Sequence, residues 1–230
     1  MRIERSCLRG QNLRRRRGQM KLIVGISGAS GVIYGVRFLE ALNRENIETH
    51  LVLTPLAEKV LEQETNFKKQ KLIGLATYHY QISDLTATIS SGSFLTQGMI
   101  IIPCSMKTLA GIACGYSDNL LLRAADVTLK EKRTLIIVPR ETPLRKVHLE
   151  NMLRLANEGA TILPAMPGFY YNPKTLDDVI NHIVGKVLDI LRIDHNLYQR
   201  WCKDKKSRIK EKLLETKGGK DYLYSIKHKM

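Results

Sequence analysis

Short apolar runs alternate along this chain with stretches whose hydrophobic residues recur every three to four positions. Leu22-Ile23-Val24, within Lys21 to Ile26, predicts a buried strand. The turn Gly25-Ile26-Ser27-Gly28-Ala29-Ser30-Gly31 then leads into a helix marked by Val32, Val36, Leu39 and Leu42. Thr49 to Leu53 predicts a second strand, and Pro55 suits the first turn of the helix after it. Residues 66–93 are less regular and end in the loop-forming run Ser90-Ser91-Gly92-Ser93. Met99 to Ile102 is a strongly β-prone strand running into Pro103, and residues 106–132 read as mostly helical with a break from Gly115 to Asp118. Thr134 to Val138 predicts another strand, His148 to Asn157 a helix ended by Gly159, Thr161 to Leu163 a further strand, and residues 175–192 a closing helix.

Strands that are apolar throughout need cover on both faces, and the alternating helices supply it. The pattern therefore predicts an α/β fold, a three-layer doubly wound parallel sheet. The chain's 230 residues suit one such domain, expected over residues 20–201. In sheets of this kind ligands bind beyond the carboxyl ends of the strands, near the point where strand order reverses. The small and polar motifs of this chain each follow a strand, so all can share that edge.

Charge changes the picture only at the ends. The formal net charge is +15, of which +6 falls in residues 1–19 and +6 in residues 202–230, leaving +3 on the rest. The folded body thus gives no reason to expect a duplex-binding face, and nucleic acid is not an expected partner. The basic extension 1–19 lacks the apolar core of a secretory signal. Met20 directly precedes the first strand and is a candidate for the true start. The basic tail 202–230 is expected to be mobile or weakly docked, with a composition that could form a solvated helix to about Thr216, ended by Gly218-Gly219. Cys7, Cys104, Cys114 and Cys202 form no CxxC pair, which favours free thiols and a cytoplasmic location. The six histidines show no HxxxH or HExxH spacing, so no metal site is expected. No apolar run reaches the ~20 residues of a membrane helix.

Candidate chemistry lies after the strands. Gly28-Ala29-Ser30-Gly31 lets backbone N–H groups approach an anion at a helix N-terminus, although its spacing fits neither GxGxxG nor a Walker sequence and also suits a plain tight turn. Thr54 is placed either to touch a ligand or to cap the helix at Pro55. Ser105, Met106, Lys107 and Thr108 open a helix directly after the central strand. Arg123, Lys130 and Arg140 form a cationic set, and the pair Arg140-Glu141 ends a strand. Arg140 there offers a planar contact to a phosphate or a carbonyl, and Glu141 is the candidate for proton transfer. Pro167-Gly168-Phe169-Tyr170-Tyr171 brings aromatic groups to the same edge, for packing or for contact.

These motifs, in this order from Met20 to Trp201, resemble those of the UbiX-type flavin prenyltransferases. The run Pro103-Cys104-Ser105-Met106-Lys107-Thr108, followed by Asp118-Asn119 and Arg123-Ala124-Ala125-Asp126, and the run Pro139-Arg140-Glu141-Thr142-Pro143-Leu144 carry the resemblance. It implies a Rossmann-like flavoprotein fold that binds FMN through Gly28, Ala29, Ser30, Thr54, Ser105, Met106, Lys107, Thr108, Arg123 and Arg140. It further implies that Lys130, Arg140, Tyr170 and Lys186 hold the phosphate of dimethylallyl monophosphate. Many family members have Arg where this chain has Lys186. Glu141 would move a proton with that phosphate, Ser30 would hydrogen-bond near flavin N5, and Lys130 would aid catalysis. The implied activity joins the dimethylallyl group to reduced FMN at N5 and C6, without a metal, and supplies prenylated FMN to a UbiD-type decarboxylase. Homo-oligomers, trimers or dodecamers, with sites between subunits are implied too.

The segment from Leu75 to Phe94 looks like members associated with hydroxyarylic acid decarboxylases. This keeps open an alternative, an FMN-binding aromatic acid decarboxylase subunit. An FMN-dependent cysteine decarboxylase is disfavoured, because Pro164-Ala165-Met166-Pro167 lacks the Asn of the PxMN motif.

Overall fold

The computed structural model describes residues 20–201; the expected extension 1–19 and tail 202–230 lie outside the described residues. The six strands are β1 (Lys21–Ile26), β2 (Glu48–Leu53), β3 (Tyr78–Tyr80), β4 (Gly98–Cys104), β5 (Thr134–Pro139) and β6 (Thr161–Ile162). They form one sheet in the order β3-β2-β1-β4-β5-β6, with every neighbouring pair parallel. The helices are α1 (Val32–Arg44), α2 (Pro55–Glu64), α3 (Lys69–Ile73), α4 (Met106–Ala113), α5 (Leu120–Lys130), α6 (Lys146–Asn157) and α7 (Leu176–Ile190).

Successive strand residues point to opposite faces, and here both faces are buried. Leu22, Val24, Ile100, Ile102, Ile136 and Val138 pack with Val36 and Leu39 of α1 and with Val184 and Leu188 of α7. Ile23, Met99, Ile101, Leu135 and Ile137 pack with Leu109 of α4, Leu121 and Ala125 of α5, and Leu155 of α6. This is the doubly wound three-layer sheet that the alternation of apolar strands and helices predicts. The strand order reverses between β1 and β4, which places the ligand-binding crevice beyond Ile26 and Cys104.

Three elements depart from the sequence reading. The irregular segment holds α3 and the edge strand β3, which pairs with β2. Reciprocal bonds between Thr49 and Thr77, each backbone N–H donating to the other's hydroxyl at 3.0 Å, fix that pairing. Buried His50 adds to it by stacking on Tyr78 and Tyr80, with Nδ1 2.9 Å from the Tyr80 hydroxyl. Helix α6 begins at Lys146, ahead of His148, because the His148 imidazole reaches back and accepts the Arg145 N–H at 3.2 Å. Among the described residues, no helix is long and apolar enough to cross a membrane.

Candidate functional site

Beyond the strand ends, backbone hydrogen bonds continue the sheet and line up the site residues in order. Thr54 N–H donates to the Ile26 carbonyl at 3.0 Å, Ser27 N–H to Pro103 at 3.2 Å, Arg140 N–H to Cys104 at 3.2 Å, and Ala165 N–H to Pro139 at 3.2 Å. Thr54, Ser27, Ser105, Arg140 and Ala165 therefore stand as neighbours along the carboxyl edge.

Ser27, which the sequence reading passed over, ties the middle together. It is fully buried; its hydroxyl donates to the Pro103 carbonyl at 3.1 Å and accepts the Ser105 N–H at 2.7 Å. One hydroxyl thus joins β1 to β4 at the switch point. Ser27→Ala leaves the Ser105 N–H without this partner, and the expected cost is about 1–3 kcal/mol of stability, measured by urea unfolding. A midpoint equal to wild type would show that the bridge contributes nothing.

The glycine loop and α4 present donors to the crevice. Gly28 packs so closely on the first turn of α2 that an added Cβ would lie 2.4 Å from Leu56 Cγ, and Gly31 holds φ +92°, a left-handed conformation that side chains disfavour. On the other side, Ser105 caps α4, its Oγ accepting the Thr108 N–H at 3.4 Å. Helix geometry and cap together leave the first amides, those of Met106 and Lys107, for a ligand. Thr54 caps α2 through the Ala57 N–H at 3.2 Å, so its capping role is realised and its position at the edge is kept.

Arg140 closes the arrangement. Its Nε donates to the Ser30 carbonyl at 3.0 Å, so the end of β5 is fastened to the glycine loop across the end of β4. The half-buried phenol of Tyr34 on α1 feels the Arg140 charge: burial raises its pKa and Arg140 offsets part of that rise. Tyr34 was not foreseen, because it lies off the apolar stripe of α1. Glu141 follows Arg140, accepts the Thr142 N–H at 3.0 Å, and with Arg140 lines a cavity of about 280 Å³. Met152, Leu144, Pro164 and Met166 complete its apolar wall. Cys104, wholly buried at the end of β4, has its thiol pKa pushed up by desolvation, which disfavours the thiolate.

A second group stands beyond β6. Tyr170, half-exposed, meets Tyr171, His182 and Trp201 edge-on, with ring centroids 5.6, 5.9 and 5.6 Å away. Lys186 lies one turn along α7 from His182, with Nζ 3.8 Å from Asp189 Oδ2. Arg123, near the start of α5, donates to the Ser90 carbonyl at 3.2 Å and pairs with Asp126 at 3.0 Å. One residue of the expected set stands apart. Lys130 ends α5 just before β5 begins, pairs with Glu131, and borders a basin with Cys114, Lys132 and Arg154. That basin is at the amino edge of the sheet, so a single chain does not bring Lys130 to Arg140 and Tyr170.

The donors at the carboxyl edge (helix amides, hydroxyls and a guanidinium) fit the phosphate and carbonyl oxygens of FMN. Among the described residues, no group of three or more His, Cys, Asp or Glu is placed to hold a metal ion.

Comparison with known proteins identifies the family. The Flavoprotein family model matches residues 11–193. The flavin prenyltransferase UbiX of Thauera aromatica is 51% identical over 182 residues, covering 79% of this chain and 94% of the relative. A solved dodecameric FMN-dependent UbiX-like decarboxylase from Escherichia coli is 52% identical with a TM-score of 0.78, covering 80% of this chain and all of that one. AnUbiX, solved in complex with FMN and dimethylallyl pyrophosphate, is 44% identical with a TM-score of 0.79, covering 80% of this chain and 97% of that one. A donor-lined carboxyl edge, the reversal between β1 and β4, and these likenesses lead to one assignment: the chain belongs to the Flavoprotein family and, within it, to the UbiX-type flavin prenyltransferases.

Proposed function

We propose that this protein transfers the dimethylallyl group of dimethylallyl monophosphate to reduced FMN, at N5 and then at C6, to make prenylated FMN. The observation that carries this reading is the Arg140–Ser30 link, which sets a guanidinium and a carboxylate beside the donors of the glycine loop and α4. The solved relative holding FMN with a dimethylallyl ester supports it.

Gly28, Ala29, Ser30, Thr54 and the Ser105–Thr108 turn would hold FMN. When bound, reduced FMN supplies the nucleophile, so the protein needs no nucleophilic side chain. Arg140, Tyr170 and Lys186 would hold the phosphate and stabilise its departure as preorganised cationic and hydrogen-bonding groups. Glu141 would hold a proton and pass it to or from that phosphate. The apolar wall of the 280 Å³ cavity would exclude water from the allyl group.

The assembly is read as a homo-oligomer, as one solved relative is a dodecamer. Exposed Leu149, Leu153 and Val147 on α6 and exposed Phe169 supply apolar surface for contacts between copies. Lys130 on the amino edge then has its role in the site of an adjacent copy. The product would pass to a UbiD-type decarboxylase, and the location is read as cytoplasmic.

The test is anaerobic incubation with reduced FMN and either dimethylallyl monophosphate or pyrophosphate, followed by mass spectrometry of the flavin. A gain of one C5 unit is expected. Unmodified flavin, together with carbon dioxide released from a hydroxyarylic acid by this chain alone, would replace the reading with the decarboxylase one, which the Escherichia coli relative's description favours.

A further inference from the structure

His182 serves neither the flavin nor the phosphate in the reading above, yet it is 6% exposed and lies at the centre of the second group. Its ring stacks on Tyr171 with centroids 5.2 Å apart and planes 10° apart, and it meets Tyr198 edge-on at 4.8 Å and Tyr170 at 5.9 Å. Its Nδ1 accepts the Gly168 N–H at 3.3 Å. Gly168 is itself pressed between the two rings: a Cβ there would lie 3.0 Å from Tyr170 Cε1 and 3.4 Å from His182 Cε1. Tyr171 closes the loop by donating its hydroxyl to the Asp178 carbonyl at 3.1 Å.

We infer that His182 is a positioning residue, whose neutral imidazole holds the Pro167–Tyr171 loop through Gly168 and so fixes the Tyr170 phenol for the phosphate of the allyl substrate. The bond needs an unprotonated Nδ1, because an imidazolium has only donors and would face the Gly168 N–H. The charged and titratable groups around the ring do not favour that imidazolium. On α7 they are Lys186, which opposes it, and Asp189, whose carboxylate is already shared among His195, Tyr198 and Arg200. From the loop come Tyr170 and Tyr171, and from the C-terminal segment Tyr198. Burial first, and Lys186 second, lower the His182 pKa below the ordinary histidine value, with Asp189 partly offsetting them. The bond is therefore intact at neutral pH and lost as pH falls through that lowered value.

This inference rests on the phosphate role of Tyr170 proposed above, and one readout of its test does not. Hydrogen exchange of the loop amides in the ligand-free chain should rise in His182→Phe, which keeps a flat ring without an acceptor, and stay protected in His182→Asn, which restores one. Unchanged exchange in His182→Phe overturns the inference whatever reaction the protein catalyses. In turnover, His182→Phe should raise KM for dimethylallyl monophosphate about three- to tenfold, with FMN affinity within about twofold and His182→Asn near wild type. Equal losses for both ligands would reduce His182 to packing. The wild-type KM should also climb as pH falls through the lowered His182 value, more steeply than that of His182→Asn. The ligand's own phosphate ionisation is common to both proteins, so coincident profiles overturn the proposal even if His182→Phe fails to fold.

Discussion

Replacing Arg140 with alanine is expected to lower kcat/KM by about 10²- to 10³-fold, the scale seen when one preorganised donor to a developing charge is removed. Two functions fail together. On the proposed reading the terminal guanidinium nitrogens would no longer meet the departing phosphate, and Nε would no longer fasten the Ser30 carbonyl across the end of β4. FMN affinity should therefore fall as well, because the glycine loop loses the strap that sets its distance from β5. Arg140→Lys separates the two effects: it keeps the charge and loses the planar fork, so an intermediate loss is expected. Steady-state turnover by flavin mass and FMN titration by fluorescence quenching would check both. An Arg140→Ala enzyme within about threefold of wild type would remove Arg140 from the phosphate site and leave the Ser30 bond as a structural contact.

The sheet was legible because its four long strands are buried on both faces, and an apolar run with no polar face has few other homes. β1, β2, β4 and β5 begin and end within a few residues of where the runs Lys21–Ile26, Thr49–Leu53, Met99–Ile102 and Thr134–Val138 place them. β3 was not legible. Tyr78-His79-Tyr80 is three residues long on the sheet edge, and what holds it is non-local: His50 beneath it and the Thr49–Thr77 exchange. α3, at five residues, is too short to show a helical period. Residues whose partners lie 28 or more positions away carry no local signal of pairing.

The site shows the same division. Because each motif follows a strand, Thr54, Ser105 and Arg140 were expected on the carboxyl edge, where the fold puts them; their order along it comes only from the strand order. Ser27 was hidden because a serine in a glycine-rich turn reads as turn chemistry, and only the approach of β4 makes it a bridge. His182 was hidden because its spacing suggested no metal or catalytic motif, while the bond it accepts comes from a loop 14 residues earlier in the chain. Lys130 was grouped by charge with Arg140, and the fold separates them because α5 runs away from the carboxyl edge before β5 returns to it. Sequence shows a residue's chemistry more readily than which end of a helix it occupies relative to a sheet.

Glu141→Gln should cut kcat by about 10²- to 10⁴-fold, the range typical of a lost general acid or base, while both ligands still bind. The amide has nearly the volume of the carboxylate and keeps an oxygen to accept the Thr142 N–H, so the 280 Å³ cavity and the turn before Pro143 are preserved. What it cannot do is carry a proton. KM for the allyl phosphate and Kd for FMN should therefore stay within about threefold of wild type, in contrast to Arg140→Ala, where binding and turnover both suffer. Glu141→Asp retains a carboxyl but withdraws it by one methylene from the cavity, so its rate should lie between the two. Single-turnover measurement of C5 transfer, with flavin and phosphate saturating, isolates this step from product release. The double variant adds a sharper criterion. If Arg140 and Glu141 act on the same departing phosphate, the combined loss will fall well short of the product of the single losses. Full multiplicativity would assign them to separate steps, and a Glu141→Gln enzyme with unchanged kcat would move the proton transfer to another group on the edge.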